Sequence, residues 1–490
     1  MHYYNSRLVW LVFVLLPICS SYLNVNILRH KRQQQPDDGS SNLLSTQPTD
    51  QGDQDMPIQM CDAENSNNSF IYCSGRILAA AMAHYFPHAD NNDSKTFVDK
   101  PLKYDAKEVL DKFNQQFPPQ DNDTESIANI DPKLLVQFIE QNFEPENHEL
   151  ESCVLNEWTE NPPLLELIKD DALREWAMDL NALWKILVEV HPDRYSLLYV
   201  PKCFVVPGGR FREFYYWDTY WTIKGLLVSG LHEICKNMIE NFVHMVNKTV
   251  SASLLTAIVY EYYEATRDIE FIRSVLPALE RELEFWDTKR GVKVEKGGQI
   301  YDLYHYRTES NVPRPESYRE DTSLVEQLTK TTDKRQVWRN LASTAESGWD
   351  FSSRWLKDSS KLSSIQTTSI VPVDLNAFMC SNFNILSYLF DEIGDTIKSL
   401  QYQKRYNSFL IDFQKVFYVK NASGWYDFNL KTKEHKLDYY ASIAIPLFTK
   451  CYHSIDLAQS ENIFNRMEEL GVFNFAGGIP TSLNNDSGQQ

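Results

Sequence analysis

The sequence predicts a mostly α-helical protein built from paired helices, and three observations carry this prediction. Apolar residues recur at three- and four-residue spacing in long segments such as the one from Leu164 to Val190. Few segments alternate apolar and polar residues with period two. Hydrophobic residues make up 43% of the 490 residues, which is enough for a sizeable core. We therefore expect helical hairpins joined by long loops.

The segment from Leu164 to Val190 is predicted to be one helix, which His191-Pro192-Asp193 stops. Further helices are predicted at 254–265, at 271–286 with a break near Pro277, at 373–391 and at 395–418. Gly297-Gly298 is typical of a hairpin turn, and the stretch 304–321 is irregular. In a closed ring of such hairpins, the loops at one end of every hairpin converge on a single pocket. Periodicity alone does not distinguish a closed ring from a solenoid.

The N-terminus has the pattern of a secretory signal. Arg7 precedes a short apolar run, Leu8 to Ile18, and small residues suited to cleavage follow it. We predict a signal peptide at 1–21, with a signal anchor as the alternative, a flexible leader at 22–60 and one domain at 61–490. The chain is then secreted or lumenal, a route that also fits the N-x-S/T sequons at Asn67, Asn92, Asn122, Asn247, Asn421 and Asn485.

Charge and cysteine usage exclude several classes of partner. The net charge of −19 disfavours nucleic acid or an anionic membrane surface as the main partner, because both would repel this chain. The His and Cys residues lack the spacing of a zinc site, so we expect no structural metal site. Seven cysteines remain after Cys19, so at least one is not paired within the chain. Cys61 and Cys73, the closest pair, are the first candidates for a disulfide.

The densest group of candidate site residues lies in the string PGGRFREFYYWDTYW, from Pro207 to Trp221. Its glycines allow close approach of the backbone to a ligand. The Trp217 and Trp221 rings share a face if a helix starts here. Together with the Arg donors and the Asp218 carboxylate, they would bind a sugar. The alternative is a helix start that packs into the core with a satisfied ion pair.

Two later strings add charged residues. In RPESYRED, Arg314 and Glu316 lie two apart in a loop constrained by proline and suit hydrogen bonds to hydroxyls, unless this is a solvated, self-paired run of charges. In ESGWDFSSRW, aromatic neighbours on both sides of Asp350 would raise its pKa, as a general acid requires. The alternative is that Asp350 caps a helix whose first turn is FSSRW.

Together these strings resemble the trehalases, glycoside hydrolases that split α,α-trehalose into two glucoses. AGGIPTS at 476–482 and SGQQ at 487–490 resemble the approach to a second signature of that family. The resemblance implies an (α/α)6 toroid, inversion at the anomeric carbon, no cofactor and trehalose as the small-molecule partner. It implies that Asp350 is the general acid. It also implies a set of residues that line the sugar subsites: Arg210, Phe211, Trp217, Asp218, Arg314, Glu316 and Gly348.

Two departures from the family pattern set further expectations. The family's catalytic base is a Glu beyond the second signature, and no residue up to Gln490 matches it. Between Asn247 and Leu254 the chain skips a family loop that contacts the sugar. We therefore expect a toroid that is incomplete at the C-terminus and weak or absent hydrolysis, with a sugar-binding pseudoenzyme as the alternative. A glucoamylase-like enzyme is a further alternative. Membrane anchoring stays undecided, because an anchor would lie in the missing part.

Overall fold

The structure is a computed structural model that describes residues 68–73, 75–85, 93–121, 123–146, 150–184, 187–189, 194–247, 254–453 and 457–484. The predicted signal peptide, the leader and Cys61 lie outside the described residues. So do four of the predicted sequon asparagines, namely Asn67, Asn92, Asn122 and Asn485. Helices dominate the described part, so the predicted mostly α class is confirmed.

The N-terminal part is a cluster of short helices with its own apolar core. This core is formed by side chains such as Ile71, Phe97, Phe113 and Phe138, which are inaccessible or almost inaccessible to solvent. Asp105 and Asp131 cap two of the helices by accepting hydrogen bonds from backbone N–H groups. The helices are α1 (Ser69–Tyr72), α2 (Arg76–Ala80) with a π-helical turn (Ala81–Tyr85), α3 (Lys95–Val98), α4 (Ala106–Gln116), α5 (Asp123–Ala128) and α6 (Pro132–Asn142).

The larger core is built from helical hairpins in two rows. The bounds are α7 (Pro163–Glu166), α8 (Asp171–Leu183), α9 (Tyr216–Val228), α10 (His232–Val246), α11 (Leu255–Thr266), α12 (Ile269–Phe285), α13 (Tyr318–Leu324), α14 (Thr331–Ser347), α15 (Val373–Glu392), α16 (Thr396–Phe417), α17 (Ile445–Thr449) and α18 (Leu457–Glu469). Helices α9, α11, α15 and α17 pack successively against one another, while α10, α12 and α16 lie behind their hairpin partners. This alternation of an inner and an outer row is the packing of an α/α toroid.

Burial explains which helices form the inner row. Helix α15 buries residues around most of its circumference, from Val373 to Phe390, so it has to be enclosed by other elements. Helix α16 buries mainly one stripe near its C-terminal end, including Phe413 and Phe417, and presents its other faces to solvent. Helix α15 therefore belongs to the inner row and helix α16 to the outer row.

The β-structure consists of two-stranded antiparallel pairs that fix loops to the helices. Gly297 and Gly298, both with positive φ, form the two-residue turn between β3 and β4, so the predicted hairpin turn is confirmed. The strands are β1 (Glu151–Cys153) with β2 (Leu187–Glu189), β3 (Gly291–Lys296) with β4 (Gln299–Tyr304), β5 (Ile370–Val371) with β8 (Phe428–Asn429), and β6 (Tyr418–Val419) with β7 (Gly424–Trp425).

Two predicted helices differ from the observed elements. The single helix predicted from Leu164 to Val190 is wrong: Asp170 caps a new helix there, and Leu187–Glu189 pairs as a strand with Glu151–Cys153. Local periodicity cannot reveal that pairing, because the partner strand lies far back in the sequence. The predicted break near Pro277 is also wrong, since helix α12 runs through the proline.

Disulfides and the remaining cysteine agree with the odd number in the sequence. Cys153 bonds Cys203, and Cys380 bonds Cys451. Cys235 is free and buried. Cys73 is disulfide-bonded, but its predicted partner Cys61 lies outside the described residues. Among the described helices, none combines the length and apolar character needed to cross a membrane.

Candidate active site

Asp350 lies in a tight turn directly after the long helix α14. Gly348 ends that helix with φ +71°, a left-handed conformation that glycine adopts easily. The carbonyl of Trp349 accepts hydrogen bonds from the Ser352 amide at 2.8 Å and the Trp355 indole at 3.0 Å. The Ser352 hydroxyl caps the following 3₁₀ turn, Ser353–Trp355, so the alternative in which Asp350 is the cap is wrong.

The carboxyl group of Asp350 has the electrostatic environment that a proton donor needs. Asp350 is exposed by its accessible surface, but the protein atoms around its carboxyl group still keep part of the bulk water away from it. Removal from water raises the pKa of Asp350, and the positive charge of Arg314 opposes the rise. A carboxyl group with a raised pKa holds its proton to higher pH, so it can act as a general acid.

Asp218 and Trp217, in the first turn of helix α9, lie beside the Asp350 turn. Burial raises the pKa of Asp218, and the charge of Asp350 raises it further. The Trp217 ring packs against Gly348, where an added Cβ would lie 3.6 Å from the indole. Its ring centre is 5.7 Å from that of Trp221, which confirms that the two rings share a helix face. The carboxyl groups of Asp218 and Asp350 and the Trp217 ring therefore lie close together where α9 meets the end of α14.

The Arg314 loop forms another side of this site. Arg314 is buried and donates from Nε and Nη2 to the two carboxylate oxygens of Asp321, at 2.9 and 2.7 Å. Its guanidinium carbon lies 4.7 Å from the centre of the Phe351 ring, and its Nη1 lies 3.9 Å from the Glu316 carboxylate. Burial raises the pKa of Glu316 against the opposing charge of Arg314. The charges are thus self-paired, as the alternative held, but the pair is buried rather than solvated.

Arg210 and Phe211 lie on an exposed hairpin at the edge of the site. Gly208 and Phe211 close this hairpin with two backbone hydrogen bonds. Arg210 donates from Nη2 to Asp93 at 2.8 Å, and the Phe211 ring meets Tyr215 edge to face. The contacts of these two residues are therefore with Asp93 and Tyr215 rather than with Asp350.

The helix α3 segment connects this hairpin to the Arg314 loop. Lys95 is buried and forms ion pairs with Glu213 and Asp99. The Ser94 hydroxyl donates to Glu320 at 2.8 Å, just beyond the Arg314 loop. The N-terminal helices therefore hold both edges of the candidate site.

A small pocket lies next to the Asp350 turn. Aromatic rings line it, with the carboxylates of Glu346 and Asp374 among them. The rings belong to Tyr216, Trp217, Trp286, Tyr306, Trp349 and Phe378. Aromatic rings with a few polar groups are the usual lining of a small-molecule site.

Sequence comparison decides the family. The family model described as Trehalase matches residues 89–250 and 252–490. The chain is 35% identical over 460 residues to a trehalase of Tenebrio molitor, covering 87% of this chain and 80% of the relative. It is 33% identical over 464 residues to a trehalase of Homo sapiens, covering 90% of this chain and 76% of the relative.

The chain belongs to the trehalase family. Its structure is also similar to that of neutral trehalase from Saccharomyces cerevisiae, with a TM-score of 0.45, 16% identity and 57% of each chain covered. Membership in this family makes the chain a glycoside hydrolase by descent.

One feature of this trehalase-family site was not singled out by sequence reasoning. Arg354, four residues after Asp350, is completely buried between Asp374 and Asp427. The sequence does show an arginine in the otherwise uncharged string FSSRW, but its partners lie too far along the chain to be inferred. In the described part of the chain, no group of three or more His, Cys, Asp or Glu residues could hold a metal ion.

Proposed function

We propose that this trehalase-family chain hydrolyses α,α-trehalose to two glucose molecules with inversion, and that Asp350 is the general acid. The observation that carries the proposal is the raised pKa of Asp350 in a turn that also faces Asp218 and Arg314. The relatives named trehalase support the choice of substrate.

Asp350 donates its proton to the oxygen that bridges the two glucose units while the bond from this oxygen to the anomeric carbon breaks. Water supplies a hydroxyl group to that carbon and returns a proton, so the products are two complete glucose molecules. The Arg314 guanidinium keeps the pKa of Asp350 from rising further, which lets the acid release its proton within a working pH range.

The remaining proposed residues bind the sugar. Trp217 offers a flat ring to the C–H face of a glucose ring, and Gly348 leaves room beside it. Asp218, Arg314 and Glu316 supply charged groups for the hydroxyls. Arg210 and Phe211 close over the edge of the site from their exposed hairpin.

An inverting mechanism also needs a second carboxylate, which activates water on the opposite face of the sugar, roughly 6.5–9.5 Å from the acid. We assign this role to no residue of the present sequence. The test of the proposed function must therefore measure sugar binding separately from hydrolysis.

The experiment compares glucose release from trehalose with calorimetric binding of trehalose, for the wild-type chain and for Asp350→Asn. We expect the wild type to release glucose slowly, because no residue is assigned as the base, and Asp350→Asn to lower kcat by a further factor of roughly 10² to 10⁴ while it still binds trehalose. Binding without release by the wild type would make the chain a sugar-binding pseudoenzyme. Faster turnover of maltose than of trehalose would favour a glucoamylase-like enzyme.

We further propose that the chain enters the secretory pathway and carries N-linked glycans. The apolar run from Leu8 to Ile18 and the sequons support this proposal. Asn247 and Asn421 are exposed, as acceptor sites need to be. Expression in secretory cells should give a protein in the medium whose mass falls on treatment with an endoglycosidase, and an unglycosylated protein retained in the cytosol would contradict the proposal.

A further inference from the structure

Arg354 forms the most deeply buried ion-pair cluster near the candidate site. Arg354 is completely inaccessible to solvent. Nη1 and Nη2 donate to the two oxygens of Asp374, each at 2.7 Å. Nε and Nη2 donate to the two oxygens of Asp427 at 2.6 and 2.7 Å. One guanidinium group therefore forms a two-pronged bond to each of two carboxylates.

Both carboxylates lie at the start of the inner helix α15. Asp374 lies in the first turn of that helix. Asp427, which directly precedes β8, also accepts a hydrogen bond from the backbone amide of Val373 at 2.9 Å. Arg354 thus fastens the segment after Asp350 to the N-terminal end of a helix that is enclosed on nearly all sides.

The same guanidinium group also orders the two tryptophans of this segment. Its central carbon lies 4.9 Å from the ring centre of Trp349 and 4.7 Å from that of Trp355. The Trp355 indole in turn donates to the carbonyl of Trp349, the residue that precedes Asp350. A displacement of Arg354 would therefore reach the backbone of the acid through one ring contact and one hydrogen bond.

Lys436 holds the backbone of the same segment from another direction. Its ammonium group donates to the carbonyls of Ser353, Arg354 and Leu356 at 2.7, 3.2 and 3.2 Å. The Ser353 hydroxyl lies 3.1 Å from the Tyr440 hydroxyl. The turn is consequently fixed both by a side chain that enters the core and by its own carbonyls.

Such a cluster is a poor source of stability, because removing an arginine and two carboxylates from water costs much of what their attraction gains. It does fix geometry, because a planar guanidinium group can donate to both carboxylates only when they lie within a narrow range of positions. We propose that Arg354 is a positioning residue for the reaction. Clamped by Asp374 and Asp427, it holds the Asp350 carboxyl at the place from which it protonates the bridging oxygen. The proposal rests on the proposed function of Asp350.

The direct test is Arg354→Lys, which keeps the positive charge and the stem but cannot form both two-pronged bonds. We expect kcat for trehalose to fall roughly 10- to 100-fold, because a displacement of about 1 Å has an effect of that size. We expect KM to stay within about threefold, because the sugar-binding groups are untouched. The matched control is Arg405→Lys. Arg405 lies on the outer helix α16, where it bonds Asp287 and Tyr304, so the kcat of this variant should equal that of the wild type.

A double variant separates positioning from a merely structural role. If Arg354 acts through the acid, Arg354→Lys should not lower kcat further once Asp350 has been replaced by Asn. If Arg354 only stabilises the fold, both single losses should multiply. Asp427→Asn, which weakens one side of the clamp, provides an independent second variant and should reproduce the loss of kcat at unchanged KM.

Amide hydrogen exchange keeps the proposal testable without turnover. In Arg354→Lys, we expect faster exchange of the peptide that covers residues 349–356, with unchanged exchange in helix α9. Unchanged exchange over 349–356 would overturn the clamp, whether or not the wild type is active. An inactive wild-type chain that nevertheless shows the faster exchange would overturn the proposed hydrolysis and leave the clamp standing.

Discussion

The Asp350 turn and the Arg210 hairpin face the same candidate site but are held in opposite ways. Ser353, Arg354 and Trp355 of the first are completely buried, and two-pronged ion pairs anchor them to an inner helix. In the second, the Arg210 side chain is 45% exposed and Phe211 is 50% exposed. The hairpin depends on a surface ion pair with Asp93, and such pairs contribute only ~0–1 kcal/mol.

This difference follows the chemistry that each region is proposed to perform. Proton transfer needs an acid fixed to within a fraction of an ångström, whereas a sugar-binding arm has to admit and release its ligand. Rigid and loose parts therefore lie side by side, and substitutions in the two regions should have different consequences.

The largest expected effect is a loss of stability in Arg354→Met. This change leaves Asp374 and Asp427 buried without their cation, and breaking a buried pair in this way costs ~3–5 kcal/mol. Arg210→Met should change the free energy of unfolding by no more than about 0.5 kcal/mol. Urea unfolding followed by circular dichroism measures both, and equal losses would remove the distinction between the two regions.

A pH effect of somewhat smaller size is expected from His305, at the end of β4. Burial lowers the pKa of His305 to about 4, while its Nδ1–H donates to the Thr368 carbonyl at 3.0 Å. Between pH 6.5 and about 4 the unfolded chain binds a proton that the folded chain does not, so stability falls as the pH falls through this window. The loss should reach about 3 kcal/mol near pH 4. His305→Gln should flatten this part of the unfolding profile, and an unchanged slope would contradict the assignment.

A weaker effect is expected on sugar binding at the hairpin. Arg210→Met should raise KM for trehalose by roughly tenfold, about 1.4 kcal/mol, because a charged donor to a hydroxyl is lost. Because Asp350 is held independently, kcat should stay within about twofold of the wild type. Asp93→Asn releases Arg210 without removing it and serves as the control. A large loss of kcat in Arg210→Met would show that the hairpin takes part in the proton transfer.

The smallest expected effect on catalysis is a shift in the pH profile of Arg314→Met, measured on the folded protein because this change also leaves the buried Asp321 without its cation. Arg314 holds down the pKa of Asp350, so its removal should move the alkaline limb of kcat/KM to higher pH. Arg314→Lys keeps the charge and should leave the limb near its wild-type position. A limb that moves to lower pH in Arg314→Met would show that another group sets it.

Local patterns in the sequence predicted the features that depend on near neighbours. The shared face of Trp217 and Trp221 and the turn at Gly297-Gly298 follow from spacing and from glycine alone. The helices predicted at 373–391 and 395–418 differ from α15 and α16 by one residue at most at each end.

Features that depend on distant partners could not be predicted in this way. The strand Leu187–Glu189 has its partner at 151–153, and Arg354 has carboxylate partners 20 and 73 positions away in the chain. Neither pairing produces a pattern of residue spacing that can be recognised in the sequence. The bond between Arg210 and Asp93 spans 117 positions and was equally inaccessible.

The role of Asp350 as proton donor is tested most directly by a substrate that needs no proton. Fluoride leaves without protonation, so Asp350→Asn should lose roughly 10²- to 10⁴-fold on trehalose while turnover of α-D-glucosyl fluoride stays near that of the wild type. Equal losses on the two substrates, or full activity of Asp350→Asn on trehalose, would contradict this role.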